Sequence, residues 1–186
     1  LVFIPTIISG YFDHFSFDFL FLKGDGGVQH HAYNFGMLYL IDFPFILLGL
    51  WFLVRKIDKR ILTLLIIFLI APLPSAITTG TPHPVRAIAM IPAFQIFAAV
   101  GVILSVKYLV LSIKYKNFGT ILYTLYIILY TINVAYYLHS YYVLTPIKYG
   151  YFWQYGYKEA FDYAKQNEEK FDKIYVTYEY DQPYIY

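Results

Sequence analysis

The sequence predicts a mainly α, polytopic helical membrane protein of about four complete spans, followed by the start of a small extracytoplasmic α/β domain. Three observations predict it. The first is composition: 59% of the 186 residues are hydrophobic, only 14% are charged, and mean hydropathy is +0.52. Soluble domains sit nearer half apolar and a quarter charged. The second is a set of four apolar runs of about 20 residues, each long enough at about 1.5 Å per residue to cover a hydrocarbon core of about 30 Å. The third is the alternation of basic and polar segments between those runs. The net charge of +2, with no basic stripe, is too small to argue for a nucleic-acid partner, and none is expected. The absence of cysteine excludes disulfides and thiolate metal sites. Tyrosine (22) and phenylalanine (17) are abundant, as suits surfaces at headgroup level.

Residues 1–34 are expected to hold the end of an upstream helix and an extracytoplasmic interfacial loop. Residues 1–8 lack methionine and a charged n-region, so they are expected to be a helix tail rather than a signal peptide. Residues 10–21 mix aromatics with Asp13, His14, Ser16 and Asp18, which suits a segment lying in the interface. Lys23-Gly24-Asp25-Gly26-Gly27 and Gln29-His30-His31 then make a polar loop.

Residues 35–138 are expected to form a four-helix transmembrane region. The first span, 35–54, is interrupted by Asp42 and Pro44. Asp42 as a helix N-cap would leave a run too short to cross, so a kinked full-length helix is expected. Residues 55–60, with Arg55, Lys56, Lys59 and Arg60, form a basic turn. The second span, 61–77, is expected to kink at Pro72 and Pro74. The third covers 87–106 with Gln95 inside it, expected to make an interhelical hydrogen bond. Lys107, Lys114 and Lys116 follow, and then the fourth span, 118–138. Positive-inside counting puts both basic segments in the cytoplasm and loops 1–34, 78–86 and 139–186 outside, with the plasma membrane as the expected location.

Residues 139–186 are expected to be an exit segment and a truncated extracytoplasmic α/β domain. Tyr157, Ala160, Phe161 and Ala164 share one face of an amphipathic helix over 157–170. Ile174 and Val176 share one face of a strand over 172–180. The chain ends at Tyr186, in what is expected to be the middle of that fold.

Chemistry concentrates in two loops. In Thr78-Thr79-Gly80-Thr81-Pro82-His83-Pro84-Val85-Arg86, Arg86 is permanently cationic and forks onto phosphate, and His83 adds a hydrogen bond. A charge beside the membrane usually faces a cavity or a partner, and the alternative is a snorkelling arginine in a stiffened loop. Lys23, Asp25, His30 and His31 form a possible substrate loop over a sugar-phosphate, against a plain solvated loop. Their spacing matches no metal signature, so no metal site and no cofactor are assigned, with a divalent ion on histidine and carboxylate as the minor alternative. Asp42 is an intramembrane carboxylate, expected to make a structural polar contact. His14 and His139 are expected to be interfacial.

With these residues laid out, the chain resembles the GT-C membrane glycosyltransferases, in the dolichyl-phosphate-mannose protein mannosyltransferase and aminoarabinose-transferase-like superfamily. The likeness is carried by Tyr11-Phe12-Asp13-His14-Phe15-Ser16, Phe19-Leu20-Phe21-Leu22-Lys23-Gly24-Asp25 and Gly36-Met37-Leu38-Tyr39-Leu40. Further on it is carried by Ala71-Pro72-Leu73-Pro74-Ser75-Ala76, Pro82-His83-Pro84-Val85-Arg86-Ala87 and Gln154-Tyr155-Gly156-Tyr157-Lys158-Glu159-Ala160. The resemblance implies an internal to C-terminal piece of an integral enzyme. Such an enzyme moves a sugar from a polyprenyl-phosphate donor to a protein or lipid acceptor outside the cytoplasm. It implies donor-phosphate binding by Arg86 and His83, and a catalytic carboxylate in an outside loop expected upstream of Leu1. Asp13, Asp18 and Asp25 are therefore not assigned as the base, and the catalytic residue is unknown. The rival readings are a transporter or channel segment lined by Arg86, His83 and Asp42, and a non-catalytic scaffold with an outside binding domain.

Overall fold

The structure, a computed structural model, describes residues 3–111, 116–153 and 155–176. It is mainly helical, with no strand among the described residues. Helix α1 (Phe3–Asp13) leads through a π-helical turn (Asp18–Leu22) into a long glycine-bearing loop. A single 3-10 turn (Leu40–Asp42) then opens α2 (Phe43–Val54), with Pro44 in its first turn, where a missing N–H costs nothing. The expected continuous span over 35–54 is thus corrected. Tyr39 is extended (φ −74°, ψ 131°), and helix occupies only Leu40–Val54. Fifteen residues rise about 22 Å, short of the roughly 30 Å hydrocarbon thickness.

Asp58 caps α3 (Lys59–Ile70) by accepting the Ile61 N–H at 2.8 Å. At Ala71-Pro72 the helix breaks and restarts as α4 (Leu73–Ala76), at the expected prolines. A 3-10 turn (Ile88–Met90) starts α5 (Ile91–Ser105), which runs on through a π-helical turn (Val106–Val110). Helix α6 (Lys116–His139) is the longest. It continues through another π-helical turn (Ser140–Leu144) into α7 (Thr145–Tyr149) and a 3-10 turn (Gly150–Trp153). Gly156, at φ +97°, a backbone conformation open to glycine, leads into α8 (Tyr157–Gln166). Residues 172–176 of the expected strand are not extended into a sheet, and its remainder lies outside the described residues, as does Lys114. The expected α/β unit is therefore represented by α8 and the short turn Glu168–Lys170.

Among the described residues, three helical stretches are long and apolar enough to cross a membrane: Lys59–Ala76, Ile88–Leu109 and Asn117–Trp153. Their outer faces are apolar, with Ile103, Ile121 and Ile127 exposed, as lipid-facing helices are. Inside, α2 and α5 cross at glycines. A Cβ on Gly49 would meet the Phe97 carbonyl, and one on Gly101 would meet that of Phe45. Small residues allow backbones this close approach, which replaces hydrophobic drive with dispersion contact. Phe97, fully buried, and Phe94 both meet Phe68 of α3 edge-to-face at 5.3 and 5.0 Å. The turn Asp18–Leu22 drives Phe19, Leu20 and Phe21 into the same core. Residues 37–38 lie alongside it, Leu38 donating its N–H to the Leu20 carbonyl at 2.7 Å.

At the other end, Arg55 lies over Trp51 at 4.2 Å and Lys56 over Phe52 at 4.7 Å. Met37 and Leu38 share a cleft with Ala87 and Ile91, so α2 and α5 set out from the same end of the molecule. The polar loops gather at that end.

Candidate functional site

The loop at 23–34 and the loop at 78–86 meet face to face. The His30 and His83 rings lie 4.6 Å apart, tilted by 44°. Glycine makes the first loop compact. A Cβ on Gly24 would sit 2.6 Å from the His31 ring, and one on Gly27 would sit 2.5 Å from His30 Nδ1. Gly24 also turns the chain at φ +72°. The Asp25 side chain is consequently only 4% exposed, and its Oδ2 accepts the His30 Nδ1–H at 2.7 Å. His31 is held from both sides, with Nδ1 on the Ala32 carbonyl (3.0 Å) and Nε2 on the Asp25 carbonyl (3.1 Å). A neutral ring donates to one of these and a protonated ring to both. Its Nε2 also stands 3.8 Å from Asp25 Oδ1.

The loop at 78–86, the hinge loop, is fixed from beneath by α1 and the residue after it. His14, expected to be interfacial, is instead completely buried. Its Nδ1–H donates to the Gly10 carbonyl at 2.7 Å and its Nε2 accepts the His83 N–H at 3.1 Å. That arrangement needs the neutral ring in one tautomer, and burial pushes its pKa below the ordinary 6.5. Thr81 Oγ1 adds a second tie to the Gly10 carbonyl at 3.1 Å. His83 is also pushed down, first by burial and then by the Arg86 and His30 charges. Its Nδ1 is buried with no hydrogen-bond partner among the described residues, as is Asp25 Oδ1.

Arg86 is beside this cluster but differently engaged. Its Nη1 donates to Thr78 Oγ1 and to the Thr79 carbonyl, both at 2.8 Å, closing the loop on itself. Nη2 and Nε make no hydrogen bond among the described residues, which leaves the outer edge of the guanidinium for a ligand. Lys23 is not part of the cluster: it pairs with Asp18 at 3.0 Å on the surface.

Two clefts flank the cluster. The first, about 420 Å³, runs between the helices and is lined by His30, His31, Pro84, Asp42, Gln95 and Tyr130, among others. Its lining combines apolar residues with polar groups. Asp42 lies deeper in it, where Tyr126 donates to Oδ1 at 3.3 Å, the structural contact expected of it. Gln95 is corrected: it is exposed into this cleft and makes no interhelical hydrogen bond among the described residues. The second cleft, about 810 Å³, opens toward the exit of α6 and is lined by His30, His31, Tyr141, Tyr142, Thr145 and Trp153, among others.

The wall between the clefts is pinned by residues that sequence reasoning passed over. Ser140 Oγ donates to the Tyr33 carbonyl at 2.6 Å, and the Tyr33 N–H donates to Thr145 Oγ1 at 3.0 Å. Ser140 opens and Thr145 follows the π-helical turn Ser140–Leu144, an irregularity that often marks functional sites. No periodicity in the sequence announces it, whereas the buried serine and threonine are polar interruptions of an aromatic run. His139, by contrast, is exposed at the end of α6.

The structure thus brings together Asp25, His30, His31 and His83, sets Arg86 beside them, and leaves Lys23 apart. Compared with known proteins, the chain matches no family model, no curated protein and no solved structure.

Proposed function

We infer that this chain is part of a membrane glycosyltransferase that moves a sugar from a polyprenyl-phosphate donor to a protein or lipid acceptor. The observation that carries the reading is the cleft of about 420 Å³ between apolar helices, lined also by His30, His31 and the hinge-loop residues Pro84 and Val85, which lie between His83 and Arg86 in the chain. An amphiphile with a long apolar tail and an anionic sugar-phosphate head has that same distribution. Arg86 would hold the phosphate with the guanidinium edge not spent on Thr78 and Thr79, and His83 would add a neutral hydrogen-bonding ring. As the glycosidic bond breaks, charge builds on the phosphate, and a fixed cation stabilises it most where water is scarce. The resemblance of the quoted segments to the GT-C enzymes supports the same reaction class.

In this reading Leu40–Val54 completes a four-span arrangement with thinned or tilted bilayer around it, and loops 1–34, 78–86 and 139–186 lie outside the cytoplasm. The test is transfer of labelled sugar from a polyprenyl-phosphate donor by the intact protein in native membranes. Losing a charge-assisted hydrogen bond, worth about 1.5–3 kcal/mol, raises the donor KM of Arg86→Ala about 10- to 150-fold. Unchanged donor KM and turnover would overturn the assignment.

A further inference from the structure

The geometry points to a cation site in the first cleft: we propose that Asp42, with the rings of Tyr39, Tyr130 and Tyr137, binds an organic ammonium group carried on an apolar body. The proposal does not rest on the glycosyltransferase reading, and the site uses neither Arg86 nor His83.

Among the described residues lining the cleft of about 420 Å³, Asp42 is the one aspartate, glutamate, lysine or arginine. It is half-buried and makes no ion pair among the described residues. Its hydrogen bond is the long 3.3 Å contact from Tyr126 to Oδ1, which leaves Oδ2 unspent. A carboxylate among helices this apolar is costly unless a positive charge answers it. Tyr126 is a neutral donor, so the answer comes either from a cationic ligand or from a proton on the carboxyl itself. The surrounding rings favour the ligand.

Tyr130 and Tyr137 are on one face of α6, a heptad apart. Tyr39 stands edge-on to both, at 5.7 Å and 89° from Tyr130 and at 5.8 Å and 77° from Tyr137. All three line the cleft with Asp42. Aromatic faces carry the negative part of the ring quadrupole, and walls set at right angles are how proteins cage an ammonium group. The backbone suits this, because the chain is extended at Tyr39 and turns helical only from Leu40. Irregular backbone among membrane helices is tolerated where it lines a cavity.

The lining also decides what kind of cation fits. Hard metal ions take about six to eight oxygen ligands, and one carboxylate is the acidic group here. Among the described residues no three histidine or acidic side chains are placed to hold a metal. Ile88 and Ile91 share the lining, so the charge arrives with an apolar part beside it. Tyr126 is about 20 Å along α6 from His139, so the site is well below the end where the polar loops gather.

The experiment is equilibrium binding of radiolabelled phenyltrimethylammonium to the intact protein in an uncharged maltoside detergent. One saturable site per chain is expected. Unlabelled probe displaces the label, and tert-butylbenzene, its neutral counterpart of the same shape, does not. Asp42→Asn keeps an oxygen for Tyr126 but loses the charge, and weakens binding at least about tenfold. Tyr130→Leu weakens it about 2- to 30-fold, whereas Tyr130→Phe stays within about twofold, because the ring and not the hydroxyl faces the cation. Displacement by both choline and glycerophosphocholine supports the site with a lipid headgroup as its source of ammonium. Displacement by choline alone supports it with a free amine. No saturable binding to wild type, an unchanged Kd in Asp42→Asn, or equal displacement by tert-butylbenzene overturns the proposal and leaves Asp42 a protonated structural carboxyl. If Asp42→Asn does not fold, the neutral competitor and the two Tyr130 variants decide: equal Kd in Tyr130→Leu and Tyr130→Phe also overturns it.

Discussion

Replacing His14 by alanine tests whether α1 holds the hinge loop in place. The ring is fully buried and bridges Gly10 and His83. Its loss leaves the Gly10 carbonyl still served by Thr81 Oγ1, so that acceptor is not orphaned. The His83 N–H is orphaned, at about 1–3 kcal/mol for an unsatisfied donor. The vacated ring adds about 2–3 kcal/mol, toward the lower end of large-to-small core substitutions. Together these weaken loop docking by about 3–6 kcal/mol in His14→Ala. His14→Gln recovers part of this, because its amide oxygen can reach the position of Nε2. The readout is hydrogen exchange at the His83 amide, and the sequence makes it clean: Pro82 and Pro84 carry no N–H, so His83 is the single exchanging amide between Thr81 and Val85. At about 1.4 kcal/mol per decade, exchange there accelerates by at least about a hundredfold in His14→Ala and less in His14→Gln. Equal protection in wild type and His14→Ala would refute the bridge.

Acid should loosen the same contact. His14 and His83 both have pKa values depressed below 6.5 in the folded chain. An undocked loop therefore binds protons that the docked one refuses, so docking is intact above about pH 6.5 and weakens as pH falls toward the folded values. Asp13 opposes the shift at His14, and Asp25 opposes it at His83, where Arg86 and His30 reinforce it. Exchange at His83, corrected for the intrinsic rate, should rise steadily below pH 6.5; a flat profile would argue against a neutral His14. Sidedness can be read with single cysteines, since the chain has none of its own. An impermeant maleimide on intact cells should label Gly26→Cys, where a side chain meets nothing within 4 Å, and spare Lys59→Cys. Labelling of both from outside would show that Leu40–Val54 does not cross.

The sequence by itself determined the helical class, the proline break at residues 71–74, the run of α6 and the amphipathic helix at Tyr157–Gln166. Each rests on a local cause: apolar run length, a missing N–H, or a 3.6-residue period. Charge counting also grouped the three polar segments at one end, and the structure gathers them there through His14, His30 and Ser140. Where local signals competed, the sequence did not decide. Phe35 to Tyr39 are as apolar as a helix, but Leu38 bonds to the turn at Leu20 and Phe35 packs on Tyr137, so tertiary contact keeps them out of the helix. His14 looked like an interfacial side chain because nothing nearby in sequence satisfies its second nitrogen. The partner is the His83 N–H, 69 residues away. Likewise Asp25 and His30 are legible in the sequence as members of one polar loop, but their pairing and the two clefts beside it are not. The clefts are built from α2, α5, α6 and α7, and a cavity is a property of what distant elements leave unfilled between them.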